Sequence, residues 1–181
     1  MSIAKDFLLT AIRRLKYYRE LGEKALDQLS EEQIHSSPNS TVNSIAIIIQ
    51  HMSGNMISRW TNFLTEDGEK KWRQRDEEFE VHQHTRAALM VLWHQGWDLL
   101  FDTLEKLKKA DLKKKVYIRE EELTVIDAIN RQLAHYPYHV GQIVNMGKIV
   151  KGEDWQNLSI PKRGRGDLSS GKSLKDPARK Y

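Results

Sequence analysis

The side chains of this chain best suited to chemistry are histidines. Residues 135–142 read HYPYHVGQ, two histidines four apart with a proline between them. Four apart is about one helical turn, which sets both imidazoles on one face as a pair of neutral nitrogen donors for a metal ion. Alone the motif is weak, and it lacks the glutamate of HExxH, so zincin-type proteolysis has no support. Catalytic zinc commonly takes three protein ligands and keeps a position open. The chain contains no cysteine, which leaves histidine, carboxylate and water as donors, and a third ligand must come from another element.

His51 is the candidate. It lies within IAIIIQHMSGNM, on the flank of an apolar stripe, where an imidazole must be satisfied by a hydrogen bond in the core or by a metal. His35 sits in a polar stretch, His94 among aromatic residues, and His82 and His84 in VHQH; none has ligand-like neighbours. On a helical wheel Gln142 and Arg131 fall near His135 and His139, and Asn55 lies one turn beyond His51. These three are candidates for supporting roles, orienting a ligand, a substrate or an anion.

These residues need helices to position them. Residues 3–29 place Ile3, Phe7, Leu8, Ile12, Leu15 and Tyr18 at three-and-four spacing, the pattern of an amphipathic helix. The polar stretch SEEQIHSSPNS ends it. A second helix opens at Asn43 or Ser44 as N-cap and carries His51. FLTEDGEKKWRQRDEEFE reads as a connecting loop with a short helical turn. A third helix is expected from His84 to Leu107. KVYIR is the one strand-like piece. The fourth helix starts after Thr124, close to a capping box with Asp127, and ends at Gly152. Its wheel places Ile126, Leu133, Val140 and Val144 on the core side, with both histidines opposite. Pro137 falls on the side away from the imidazoles, so a kink there bends the axis toward them and leaves the Leu133 carbonyl unpaired, at a cost of about 3 kcal/mol.

The expected fold is all-α, a four-helix bundle over residues 1–161 with a short strand-like segment, followed by a flexible basic Gly/Ser-rich tail, 162–181. The chain carries a net charge of +4, but the tail alone has seven cations against two carboxylates. A body near neutrality argues against a basic groove, so a nucleic-acid partner is not expected. No apolar run, Ile45 to Ile49 among them, is long enough to span a membrane, and the N-terminus lacks a secretory layout. A cytoplasmic protein is the expectation.

The histidine in an Ile-rich second helix and the HYPYHVGQI of the fourth resemble the DinB/YfiT-like superfamily of small bacterial four-helix proteins. RWTNFLTEDGEKKWRQRDEEFE, YIREEELTVIDAINRQLAHYPYHVGQIV and WQNLSIPKRG are similar to an uncharacterised branch of it, over about residues 3–163. The resemblance implies an up-down-down-up bundle, often a homodimer, that binds one divalent metal ion per chain, nickel or zinc, through His51, His135 and His139. It also implies a small-molecule or thiol substrate, since some relatives are metal-dependent hydrolases and others transfer low-molecular-weight thiols such as bacillithiol. A non-catalytic bundle that binds metal or a ligand for structure or sensing uses the same residues. This chain departs from the branch at Pro137, where a small helix former is expected.

Overall fold

Four long helices form, and each begins where a side chain caps its free amides. The structure, a computed structural model, describes residues 2–158 and 176–181. Helix α1 (Ile3–Leu26) starts at Ser2, α3 (Ile45–Trp60) at Ser44, α4 (Arg86–Lys106) at Thr85 and α5 (Val125–Lys151) at Thr124, each cap oxygen accepting an amide N–H of the first turn. Helix α5 ends at Gly152, whose φ of 62° is in the range that favours glycine. The stretch after α1 is not wholly irregular. Ser30 and Gln33 form a reciprocal capping box that starts a short helix, α2 (Glu31–His35), pinned by buried Ile34. A single apolar residue gave no periodicity by which to see it.

The long helices close a ring in the order α1, α5, α3, α4, with α1 against α5 and α4, and α3 against α4 and α5. Nearly every residue of α3 is buried, as expected for a helix apolar on most of its circumference. Leu15, Leu26, Ile45, Ile49, Met52, Trp93, Trp97, Ile129 and Tyr136 are among the core. No helix among the described residues is long and apolar enough to cross a membrane.

Helix α5 is rotated from its expected setting. Ile126 is 37% exposed, and the buried arc instead runs through Val125, Ile129, Gln132, Tyr136, Val140 and Ile143. At about 100° per residue this centre is roughly 70° from the expected stripe, so His135 and His139 flank the core rather than face away from it. The wheel misplaced the stripe because it weighted aliphatic residues and passed over Tyr136 and Gln132, which are 0% and 1% exposed. Helix α5 runs unbroken through Pro137.

KVYI forms strand β1 (Lys115–Ile118), paired antiparallel with β2 (Glu121–Thr124), Val116 opposite Leu123. The second strand has an acidic, exposed start and no alternation to announce it. The two-residue turn holds Arg119 and Glu120 at φ of 56° and 66°, a conformation that hairpins usually give to Asn-Gly. Asp67 offsets the strain: its carboxylate accepts the backbone N–H of Arg119 at 2.9 Å and of Glu120 at 2.8 Å, as well as that of Glu69 at 2.6 Å. Burial pushes the Asp67 carboxyl up, but these three donors hold it below the usual carboxylate range. The α3–α4 connection is thereby tied to the hairpin.

Of the expected tail, residues 162–175 lie outside the described residues. Residues 176–181 pack on α1, with Ala178 buried, Asp176 3.4 Å from Arg14 and Lys180 2.8 Å from Glu20.

Replacing Asp67 by alanine strands two strained turn amides and is expected to lower the unfolding free energy by about 1–3 kcal/mol. Denaturant unfolding measures this, and R119N/E120G, which gives the turn its preferred residues, should recover part of the loss.

Candidate metal centre

His51 from α3 and His135 and His139 from α5 meet in one group. One nitrogen from each lies within 4.8 Å of the others, and no other such group of three occurs among the described residues. His51 is 7% exposed and the other two are half-buried. Of the remaining histidines, His35 bonds the His84 carbonyl, His82 that of Glu77, and His94 the Arg19 guanidinium.

Each imidazole of the group is held from behind by an oxygen at Nδ1. His51 Nδ1–H donates to Glu78 Oε2 at 3.0 Å, His135 Nδ1–H to Gln132 Oε1 at 3.3 Å and His139 Nδ1–H to Gln142 Oε1 at 2.7 Å. A carboxylate only accepts, which fixes the His51 tautomer; Gln142 is oriented by its Nε2–H donating to the Tyr138 hydroxyl at 3.1 Å. With protons assigned to Nδ1, the Nε2 lone pairs are free. Those of His135 and His139 confront each other at 3.0 Å. Two acceptors at that distance repel unless a cation lies between them, and the spacing is close to the ~3.3 Å that 2.0–2.1 Å metal–nitrogen bonds impose. The donor set therefore fits a divalent ion that prefers nitrogen, with the outer hydrogen bonds such ligands ordinarily carry.

The α3–α4 connection completes the site. Glu78 stands on a short 3₁₀ turn (Asp76–Phe79), where the Arg73 guanidinium donates Nε–H and Nη2–H to its two oxygens, both at 2.7 Å. Burial pushes the Glu78 carboxyl up, but Arg73 and the His51 N–H outweigh it and hold it below the usual range. Phe79 lies against the His51 ring, centroids 4.8 Å apart. Gly54, one turn along α3 from His51, leaves the space the Glu78 carboxylate occupies.

Gln142 thus touches an imidazole. Asn55 and Arg131 do not: both line an adjoining cavity of about 260 Å³ that His51 and His135 also wall. Asn55 Oδ1 accepts the Tyr136 hydroxyl proton at 3.1 Å, and Tyr136 in turn accepts the Trp60 indole N–H at 3.0 Å. Burial pushes the Tyr136 phenol well above its ordinary pKa, so it remains a donor. Sequence reasoning missed Gln132 and Glu78. Gln132, three residues before His135, could have been found once α5 was turned to its true face; nothing separates Glu78 from its acidic neighbours without the fold.

A family model described as a protein of unknown function (DUF1572) matches residues 2–164. No curated protein and no solved structure matches the chain.

Burial, and then the charges of His139 and His51, lower the His135 pKa to about 3, and burial lowers that of His139. In the unfolded chain both return to about 6.5, so below that pH the unfolded state takes up protons that the native state refuses. Metal-free protein is expected to be most stable above pH 6.5 and to lose stability as the pH falls from there toward 3. Between pH 7 and 5 the loss from His135 should be on the order of 1 kcal/mol after allowance for solvent screening, with His139 adding in the same direction, read by denaturant unfolding and reduced in H135Q/H139Q. A second expectation concerns Gly54. A methyl group there displaces Glu78, so Gly54→Ala should weaken divalent-metal affinity about 10–100-fold, measured by competition with a chromogenic chelator.

Proposed function

The chain belongs to the DUF1572 family of proteins of unknown function, and from that starting point we propose that it is a DinB-like metalloenzyme. It binds one divalent metal ion, nickel or zinc, through His51, His135 and His139. Its reaction is a metal-dependent hydrolysis or the transfer of a low-molecular-weight thiol, acting on a small molecule. The observation that carries the reading is the trio of imidazoles, each anchored at Nδ1, with His135 and His139 turning Nε2 toward each other and His51 and His135 standing on the wall of a cavity. A structural metal site is usually closed by four protein ligands; three histidines leave a position for substrate.

A divalent ion held there supplies Lewis acidity toward a water or a thiol. The chain's own residues do the rest. Glu78 fixes the tautomer of His51 and, through Arg73, its orientation; Gln142 and Gln132 do the same for His139 and His135. Burial keeps His135 and His139 neutral at pH 7, the state in which a nitrogen is a ligand. Asn55, fixed by the Tyr136 hydroxyl, presents its amide at the cavity wall. The resemblance to DinB-like proteins supports, in addition, a homodimer in the cytoplasm.

Metal analysis tests the reading directly. Protein purified without chelators should carry about one equivalent of nickel or zinc, and His51→Ala, His135→Ala and His139→Ala should each lose it. Turnover in a panel of thiol conjugations and ester or amide hydrolyses should disappear in the same three variants. Substoichiometric metal in wild type, unchanged in His139→Ala, would sink the site; stoichiometric metal with no turnover would leave a binding protein.

A further inference from the structure

The cavity beside the three histidines is walled by arginine. Arg59, Arg73, Arg75, Arg119 and Arg131 all line it, and no carboxylate does. Glu69 and Glu78 stand behind Arg73, Glu69 also lies 3.3 Å from Arg119, and Glu121 lies 3.7 Å from Arg131. Asp67, whose carboxylate lies within electrostatic reach of Arg59, is a fourth carboxylate, so five guanidiniums against four leave one positive charge in excess.

Arg59 makes the excess acute. It is 3% exposed, its Nε and Nη1 have no hydrogen-bond partner among the described residues, and its nearest carboxylate oxygen, on Glu69, is 3.9 Å away. Glu69 is already committed to Arg73, through two hydrogen bonds of 3.1 and 3.2 Å. A buried, under-paired cation is costly, and water satisfies its N–H groups without neutralising its charge. A small oxyanion does both, because the planar fork of a guanidinium matches the oxygens of a phosphoryl, sulfonyl or carboxylate group. At about 260 Å³ the cavity is below the ~300–1,000 Å³ of sites for drug-sized ligands and suits a small molecule, not a polymer.

We propose that this cavity binds the oxyanionic group of a small anionic substrate, held by Arg59, Arg75 and Arg131, with the substrate's reactive end directed to the three histidines. Assigning the reactive end rests on the metalloenzyme reading; the anion site itself does not. Asn55 completes the donor wall, since its Oδ1 is already used by Tyr136 and its Nδ2–H₂ has no partner among the described residues.

The test is calorimetric titration of the full chain, as purified and after chelation, with inorganic phosphate at constant ionic strength. Saturable binding is expected in both, weakened at least tenfold in Arg131→Gln and in Arg59→Met, with no response to chloride. Arg131 is half-exposed and paired only loosely, so Arg131→Gln decides the matter even if Arg59→Met fails to fold. Heats that do not saturate, or an unchanged affinity in Arg131→Gln, would overturn the proposal. His139→Ala separates the two readings: it should abolish metal binding and leave phosphate binding in place. Phosphate binding without metal in any sample defeats only the metalloenzyme reading; metal without phosphate binding defeats only this one.

Discussion

The carboxylate of Glu78 is the point on which the site turns. It is buried, so it is stable as an anion only while Arg73 grips both of its oxygens and His51 donates to one. In return it fixes the ring of His51, which lies mid-helix and has no freedom to find another partner. The same carboxylate fills the groove that Gly54 leaves on α3, so a helix, a loop and an imidazole are locked by one group. Long connections without regular structure in compact domains usually serve a function, and here the α3–α4 connection supplies one face of the site.

Helix α3 holds that connection along its length. Ser58 donates to the Gly68 carbonyl at 2.8 Å and accepts the Lys70 N–H at 3.0 Å, while Gln50 Nε2–H donates to the Glu80 carbonyl at 3.1 Å. Residues 50, 54 and 58 are one turn apart, so one strip of the helix binds the loop while Ile45, Ile49, Met52 and Met56 enter the core. A helix buried on both sides must satisfy its polar groups internally, and these have few alternative arrangements. These bonds help set His51 of α3 at ligand spacing from His135 and His139 of α5.

Much of this was legible in the sequence. Caps, periodicity and the terminal glycine marked the long helices within a few residues, because those signals are local. His51, His135 and His139 were legible for a similar reason: two share a helical turn, and the third is a polar residue stranded in an aliphatic run. The outer partners were not. Glu78 is one of several acidic residues in a charged stretch, and only the fold selects it, by bringing it over Gly54. The arginine wall is likewise assembled from α3, the loop, the hairpin turn and α5, positions far apart in the chain. The rotation of α5 was misread because its face is set by Tyr136 and Gln132, whose polar ends a hydropathy wheel does not credit and whose partners, Trp60, Asn55 and His135, lie partly on another helix.

Tyr136 also bears on the proline that follows it. A proline in a helix interior removes one amide donor and crowds the preceding turn, at about 3 kcal/mol in an isolated helix. In α5 the residues on either side of that defect are clamped by tertiary contacts. Tyr136 and Val140 are fully buried, and the Tyr136 hydroxyl is fixed at both its donor and its acceptor positions. The ring of Tyr136 packs edge-on to Trp97 of α4, centroids 5.8 Å apart. Helical geometry across residues 133–140 is therefore reinforced by the core where the local hydrogen-bond ladder lacks a donor. Since His135 and His139 stand on the two turns that Pro137 joins, the same core contacts that carry α5 past the proline also hold the two imidazoles one turn apart.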